Sequence, residues 1–91
     1  MIFEFDENKS KINKEKHGID FIEAQKLFSK KVKITEAKSI DEQRFLAIEF
    51  IKEKCWCMVF TLRGENIRII SVRRCRKKEK EYYEKDYCQR V

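Results

Sequence analysis

Four arginines and one histidine carry most of the chemical information in this chain. Arg63 stands at a turn, and Arg68, Arg73 and Arg74 follow along the apolar run I-R-I-I-S-V-R-R. A guanidinium is a planar fork of donors that matches the oxygens of a phosphate. Fixing several of them on strands is a way to hold a polyanion. His17 is the only histidine, and histidine is the side chain whose ordinary pKa suits proton transfer near neutrality. Lys16 lies beside it. Arg76, Lys77, Lys78 and Lys80 add a basic block after the last arginines. Tyr82 and Tyr83 follow, one of which must face the core if the segment is a helix. Each group also has a plainer reading: His17 as a helix-end residue, the arginines as edge protection, the basic block as a solvated face.

Other chemistries lack their residues. There is no glycine-rich phosphate loop and no G-x-S-x-G elbow. The cysteines, Cys55, Cys57, Cys75 and Cys88, do not show the C-x₂₋₄-C pairs of a zinc site. No metal or cofactor is therefore expected. What the residues permit is metal-free RNA cleavage, in which the RNA 2′-hydroxyl attacks and the protein supplies a base, an acid and cations. Binding nucleic acid without cutting it, or docking an acidic protein, would use the same cations.

The elements must hold these residues in place. With 91 residues and a net charge of +6, the chain fits a single domain over 1–91 with one modest core. The charge favours phosphate backbones or acidic partners. No apolar run is long enough to span a membrane, and the N-terminus lacks the pattern of a secretory signal, so a cytoplasmic protein is expected. Reduced thiols in the core follow from that, since Cys55 and Cys57 would share a strand face and bridge only with strain.

Ile2–Phe5 alternates as a strand. Asp6 caps a helix that ends at His17, closed by Gly18, with Ile12 as its apolar anchor. Asp20 and Glu23 form a capping-box variant for a second helix burying Phe21, Ala24, Leu27 and Phe28. Strands are expected at 32–37, 44–51, 55–62 and 67–73, with Trp56 in the core. A helix carrying Tyr82, Tyr83 and Tyr87 ends the chain. Simple alternation along the last strand puts Arg68, Ile70, Val72 and Arg74 on one face and Arg73 on the other. The expected class is α+β: an antiparallel β-meander with two N-terminal helices and a C-terminal helix, the helices packed on one face.

Several segments, in order, carry a resemblance: F-E-F-D (3–6), N-K-E-K-H-G-I-D-F-I-E-A (13–24), E-Q-R-F-L-A-I (42–48), V-F-T-L-R-G (59–64), I-R-I-I-S-V-R-R (67–74) and E-K-E-Y-Y-E (79–84). Together they resemble the BrnT ribonuclease toxins of bacterial type II toxin–antitoxin pairs. The resemblance implies a RelE-like fold and an RNA-cleaving toxin that inhibits translation. It implies a BrnA-like antitoxin that neutralises the toxin in a hetero-oligomer and binds operator DNA through its own domain. By position it assigns catalysis to Lys16, His17, Arg63, Arg73, Arg74 and Tyr83, and an RNA contact to Arg68; Arg76 and Lys77 are expected as RNA contacts from their place in the basic block. Phe5 stands where tryptophan is common, Val72 where alanine is common and Cys75 where another small residue is common. The connection at 38–43 is short for the family.

Overall fold

The computed structural model describes residues 2–88, with side chains described through residue 85. The side chains of Tyr87 and Cys88, included in the sequence reading, lie outside the described set.

Strand β1 (Ile2–Glu4) leads into helix α1 (Glu7–His17). The Asp6 carboxylate accepts from the backbone N–H groups of Asn8 and Lys9, and Gly18 closes the helix at φ 82°, donating its N–H to the Lys14 carbonyl. Both ends therefore form where capping chemistry places them. The expected second helix is instead a 3-10 helix, Glu23–Leu27. The Asp20–Glu23 capping box does form, with bonds of 2.7 and 3.4 Å. The reason for the tighter coil lies in the spacing. Phe21, Ala24 and Leu27, all fully buried, are three residues apart, and three residues is one turn of a 3-10 helix.

Strands β2 (Lys33–Ala37), β3 (Arg44–Ile51), β4 (Lys54–Arg63) and β5 (Asn66–Arg74) follow. Each pairs antiparallel with the next. Strand β1 adds to the far side of β5 in parallel, so the five-stranded sheet is mixed, in the order β1-β5-β4-β3-β2. Helix α2 (Lys77–Cys88) ends the described chain. Between β3 and β4, Lys52 and Glu53 both take positive φ, 48° and 70°. A two-residue hairpin turn of this kind normally uses Asn-Gly, and each non-glycine residue there costs about 1–2 kcal/mol.

The helices do not share one face of the sheet. Ala47, Trp56, Met58, Phe60, Ile67, Ile69 and Val72 face the 3-10 helix and pack with Phe21, Ala24 and Leu27. Ile48, Cys55 and Cys57 point the other way and pack with Tyr83 of α2. Helix α1 covers neither face squarely. It crosses the edge of β5 that β1 leaves open after Arg68. Its buried residues are accordingly polar, Ser10 and Asn13, while Ile12 is exposed rather than anchoring. A strand edge presents backbone donors and acceptors, and only polar side chains can satisfy them. Asn13 does so twice on Val72, accepting from its N–H at 3.1 Å and donating to its carbonyl at 2.8 Å.

The thiols are not all reduced. Cys55 and Cys75 are joined as a disulfide with Cα atoms 5.4 Å apart, and Cys57 is a free buried thiol. Register explains the pairing: Trp56 lies opposite Arg74, which carries Cys75 alongside Cys55, and the Cys75 N–H donates to the Cys55 carbonyl.

Candidate functional site

The faces of β5 are set by a bulge. Phe60 pairs with Ile69 and Val59 with Ser71, so Ile70 is an extra residue. An extra residue shifts the alternation by one position. Arg68, Ser71 and Arg73 therefore lie opposite Thr61, Val59 and Cys57 on the α2 face. Arg74 lies opposite Trp56 on the other. Simple alternation had paired Arg68 with Arg74 and set Arg73 apart. The bulge reverses this and gives one face two arginines with a serine between them.

Level with the bulge is a shallow cleft lined by Lys9, Lys16, His17, Ile70 and Ser71, with Asn13 at its base. The α1 C-terminus thus brings Lys16 and His17 to the β5 edge, both exposed. Asn13 fixes that approach through Val72, and it also donates to the Ile19 carbonyl at 2.9 Å just past the helix end. Asn13 was not singled out in the sequence. The available signal was an asparagine in mid-helix, where its propensity is poor and a tertiary role is the usual reason.

Each arginine on the sheet has its own setting. Arg73 is held by Glu79 of α2 through two parallel bonds of 2.7 Å. That contact raises the guanidinium pKa, and the same guanidinium holds the Glu79 carboxyl below its usual range. Glu79 also accepts from the Arg76 N–H at 2.8 Å, an acid at the helix start that offsets the basic block around it. Arg68 is 3.7 Å from Glu4 and Arg63 is 4.0 Å from Glu42. Arg74 lies 5.5 Å over the Trp56 ring and donates from Nε to the Cys55 carbonyl. Arg76 and Lys77 are exposed.

These residues do not form one cluster. Arg63 pairs with Asn66 at the far end of β5. From there to Arg74 the strand runs about 26 Å at 3.3 Å per residue. No single phosphate can touch both Arg63 and the Arg73–Arg74 pair. Tyr83 is buried and donates to Glu49, away from the His17 cleft. Glu49 is a buried carboxylate that also accepts from Ser29 and from the Phe50 N–H. Burial pushes its pKa up, but the bonds from Ser29, Tyr83 and Phe50 and the charge of Lys31 outweigh this and hold it below the usual range. Tyr83, Phe50 and Glu49 thus read as the seat of α2. Cys57, beside Arg73 and Glu79, is pushed up to about 12 by burial first of all, which leaves it a poor nucleophile.

Among the described residues, no three His, Cys, Asp or Glu side chains group as a metal site. No helix of the described chain is long and apolar enough to cross a membrane.

Residues 5–79 match a family model described as "Ribonuclease toxin, BrnT, of type II toxin-antitoxin system". A comparison with curated proteins found no match to the chain.

Proposed function

Because this chain belongs to the BrnT family of ribonuclease toxins of type II toxin–antitoxin systems, we propose that it is a metal-independent endoribonuclease whose site lies along the bulged half of β5. The carrying observation is the bulge, which puts Arg68 and Arg73 on one face on either side of Ser71, with Lys16 and His17 at the adjoining edge. In this reading the RNA 2′-hydroxyl attacks its own phosphorus. His17 takes or gives a proton there, assisted by Lys16. The 5′-oxygen leaves, and a 2′,3′-cyclic phosphate remains. Arg73 and Arg68 bind the phosphate and stabilise the charge that builds in the transition state. Arg73 spends three of its five N–H donors on Glu79 and the Arg74 carbonyl, so a guanidinium held in one plane still has donors for an anion.

Arg63, Arg76 and Lys77 lie outside this cluster and are read as contacts for RNA further along the strand. Tyr83 is read as structural, through Glu49. The remaining features rest on family membership: a RelE-like toxin fold, arrest of translation in the cytoplasm, and neutralisation by a BrnA-like antitoxin in a hetero-oligomer that reaches operator DNA through the antitoxin.

The test is cleavage of total RNA by the free protein in EDTA, with the product ends identified. Cyclic-phosphate ends that vanish with His17→Ala and Arg73→Ala are the expected result. Because His17 is exposed, its variant should fold normally, so a fall in cleavage would report on chemistry. RNA that is bound but never cut, alone or with ribosomes, would favour a binding protein.

A further inference from the structure

A second depression lies on the other side of the Lys16–Gly18 corner. It measures about 210 Å³, and Lys26, Lys52 and Lys54 stand at its rim over Ile19, Ile51 and Trp56. Its one acidic lining residue, Glu23, is bonded to Lys14 at 2.6 Å. Among the described residues, Lys26, Lys52 and Lys54 make no ion pair. They differ in this from Arg63, Arg68 and Arg73, each of which has a carboxylate within 4.0 Å. Arg74, on this face, extends the positive charge over Trp56.

One further observation points to a ligand. The depression adjoins the proposed catalytic cleft. His17 lines that cleft and Gly18 lines this one, and adjacent Cα atoms are only about 3.8 Å apart. A strand of RNA that crosses the α1 C-terminus would meet both. The helix end carries partial negative charge, yet Lys16 in its last turn offsets it.

We propose that this depression is a second RNA subsite, which binds a backbone phosphate next to the scissile one, with its apolar floor against the attached sugar or base. The proposal rests on the ribonuclease reading for its substrate. Lys26, Lys52 and Lys54 supply the phosphate contacts, and Arg74 supports them by closing the wall over Trp56.

The experiment compares the parent protein with the Lys26→Ser/Lys52→Ser/Lys54→Ser variant and with a Lys→Arg version at the same three positions. A fully 2′-O-methylated RNA of ten nucleotides, which cannot be cut, measures binding. A cleavable ten-nucleotide RNA and a dinucleotide measure turnover. The serine variant is expected to bind the methylated RNA about tenfold more weakly, with a salt slope shallower by roughly 0.7 for each phosphate it no longer neutralises. Its KM should rise about tenfold for the long RNA with little change in kcat, and should not move for the dinucleotide. The arginine version should keep parent-like binding. Unchanged binding of the methylated RNA would overturn the subsite. So would an equal rise in KM on the dinucleotide. If the parent protein cuts no RNA, the ribonuclease reading fails, and the methylated RNA still decides whether the lysines hold a phosphate backbone.

Discussion

Asn13 closes both backbone hydrogen bonds of Val72, accepting from its N–H and donating to its carbonyl across 59 residues of sequence. It stands in for the next strand where β1 has run out. The same amide holds the Ile19 carbonyl, so one side chain ties α1, the segment after it and the bulged half of β5 together. The Lys16–His17 corner is positioned by this clamp.

Replacing Asn13 with Ala should therefore cost about 2–4 kcal/mol, because buried donors and acceptors are left without partners that water can easily replace. Asn13→Asp should be worse than its size suggests, since a carboxylate would face two carbonyl oxygens. Urea unfolding measures both. Any folded fraction should also cut RNA poorly, since His17 no longer keeps a fixed distance to Ser71.

The Arg73–Glu79 pair offers a different test. Glu79→Gln keeps the shape and removes the charge, and the cost should be roughly 1–3 kcal/mol for a half-buried, two-point contact. If Arg73 serves the phosphate, its loosened guanidinium should weaken cleavage more than it weakens RNA binding. An equal fall in both would mark Glu79 as a stability contact alone.

Tyr83→Phe separates the two assignments of that tyrosine. Removing its bond to Glu49 should destabilise the protein by about 1–2 kcal/mol and leave cleavage per folded molecule near the parent level. A large fall in kcat at normal stability would return Tyr83 to the catalytic set.

Acid stability follows from Glu49 and Glu79 together. Both carboxyls titrate below their ordinary value in the folded protein. Their contribution is thus fully present above the ordinary carboxyl pKa of about 4.3 and is lost as the pH falls through their lower folded values. Melting temperature should hold from neutrality to about pH 5 and then drop. The drop should be shallower in Glu49→Gln and in Glu79→Gln, each of which starts from a lower plateau.

The Cys55–Cys75 bond closes a sequence separation of 20 residues that takes in nearly all of the β4–β5 hairpin. Closing a loop of that length contributes about 3 kcal/mol. Dithiothreitol, or Cys75→Ser, should lower the urea midpoint accordingly. The buried Cys57 should not substitute as a partner, because its thiol stays protonated.

The sequence by itself determined the punctuation of this protein. Asp6 and Gly18 mark α1 because a side-chain acceptor and a left-handed residue are local requirements. Asp20 with Glu23 is legible for the same reason. The strands from Val32 to Arg74 appear within a residue or two of their bounds, since apolar alternation is a local pattern. The conjunction of Lys16-His17-Gly18 with the arginine strand was also readable, and it led to the family that residues 5–79 match.

Only the tertiary structure decided which of those residues meet. The bulge at Ile70 depends on how β5 registers with β4, and one extra residue moves Arg73 to the face of Arg68 and sends Arg74 to the other. The parallel β1, the edge position of α1, the pairing of Cys55 with Cys75 and the burial of Tyr83 against Glu49 all join residues far apart in sequence. Alternation and capping rules carry no information about such partners, because they describe what a segment can form and not what lies across from it.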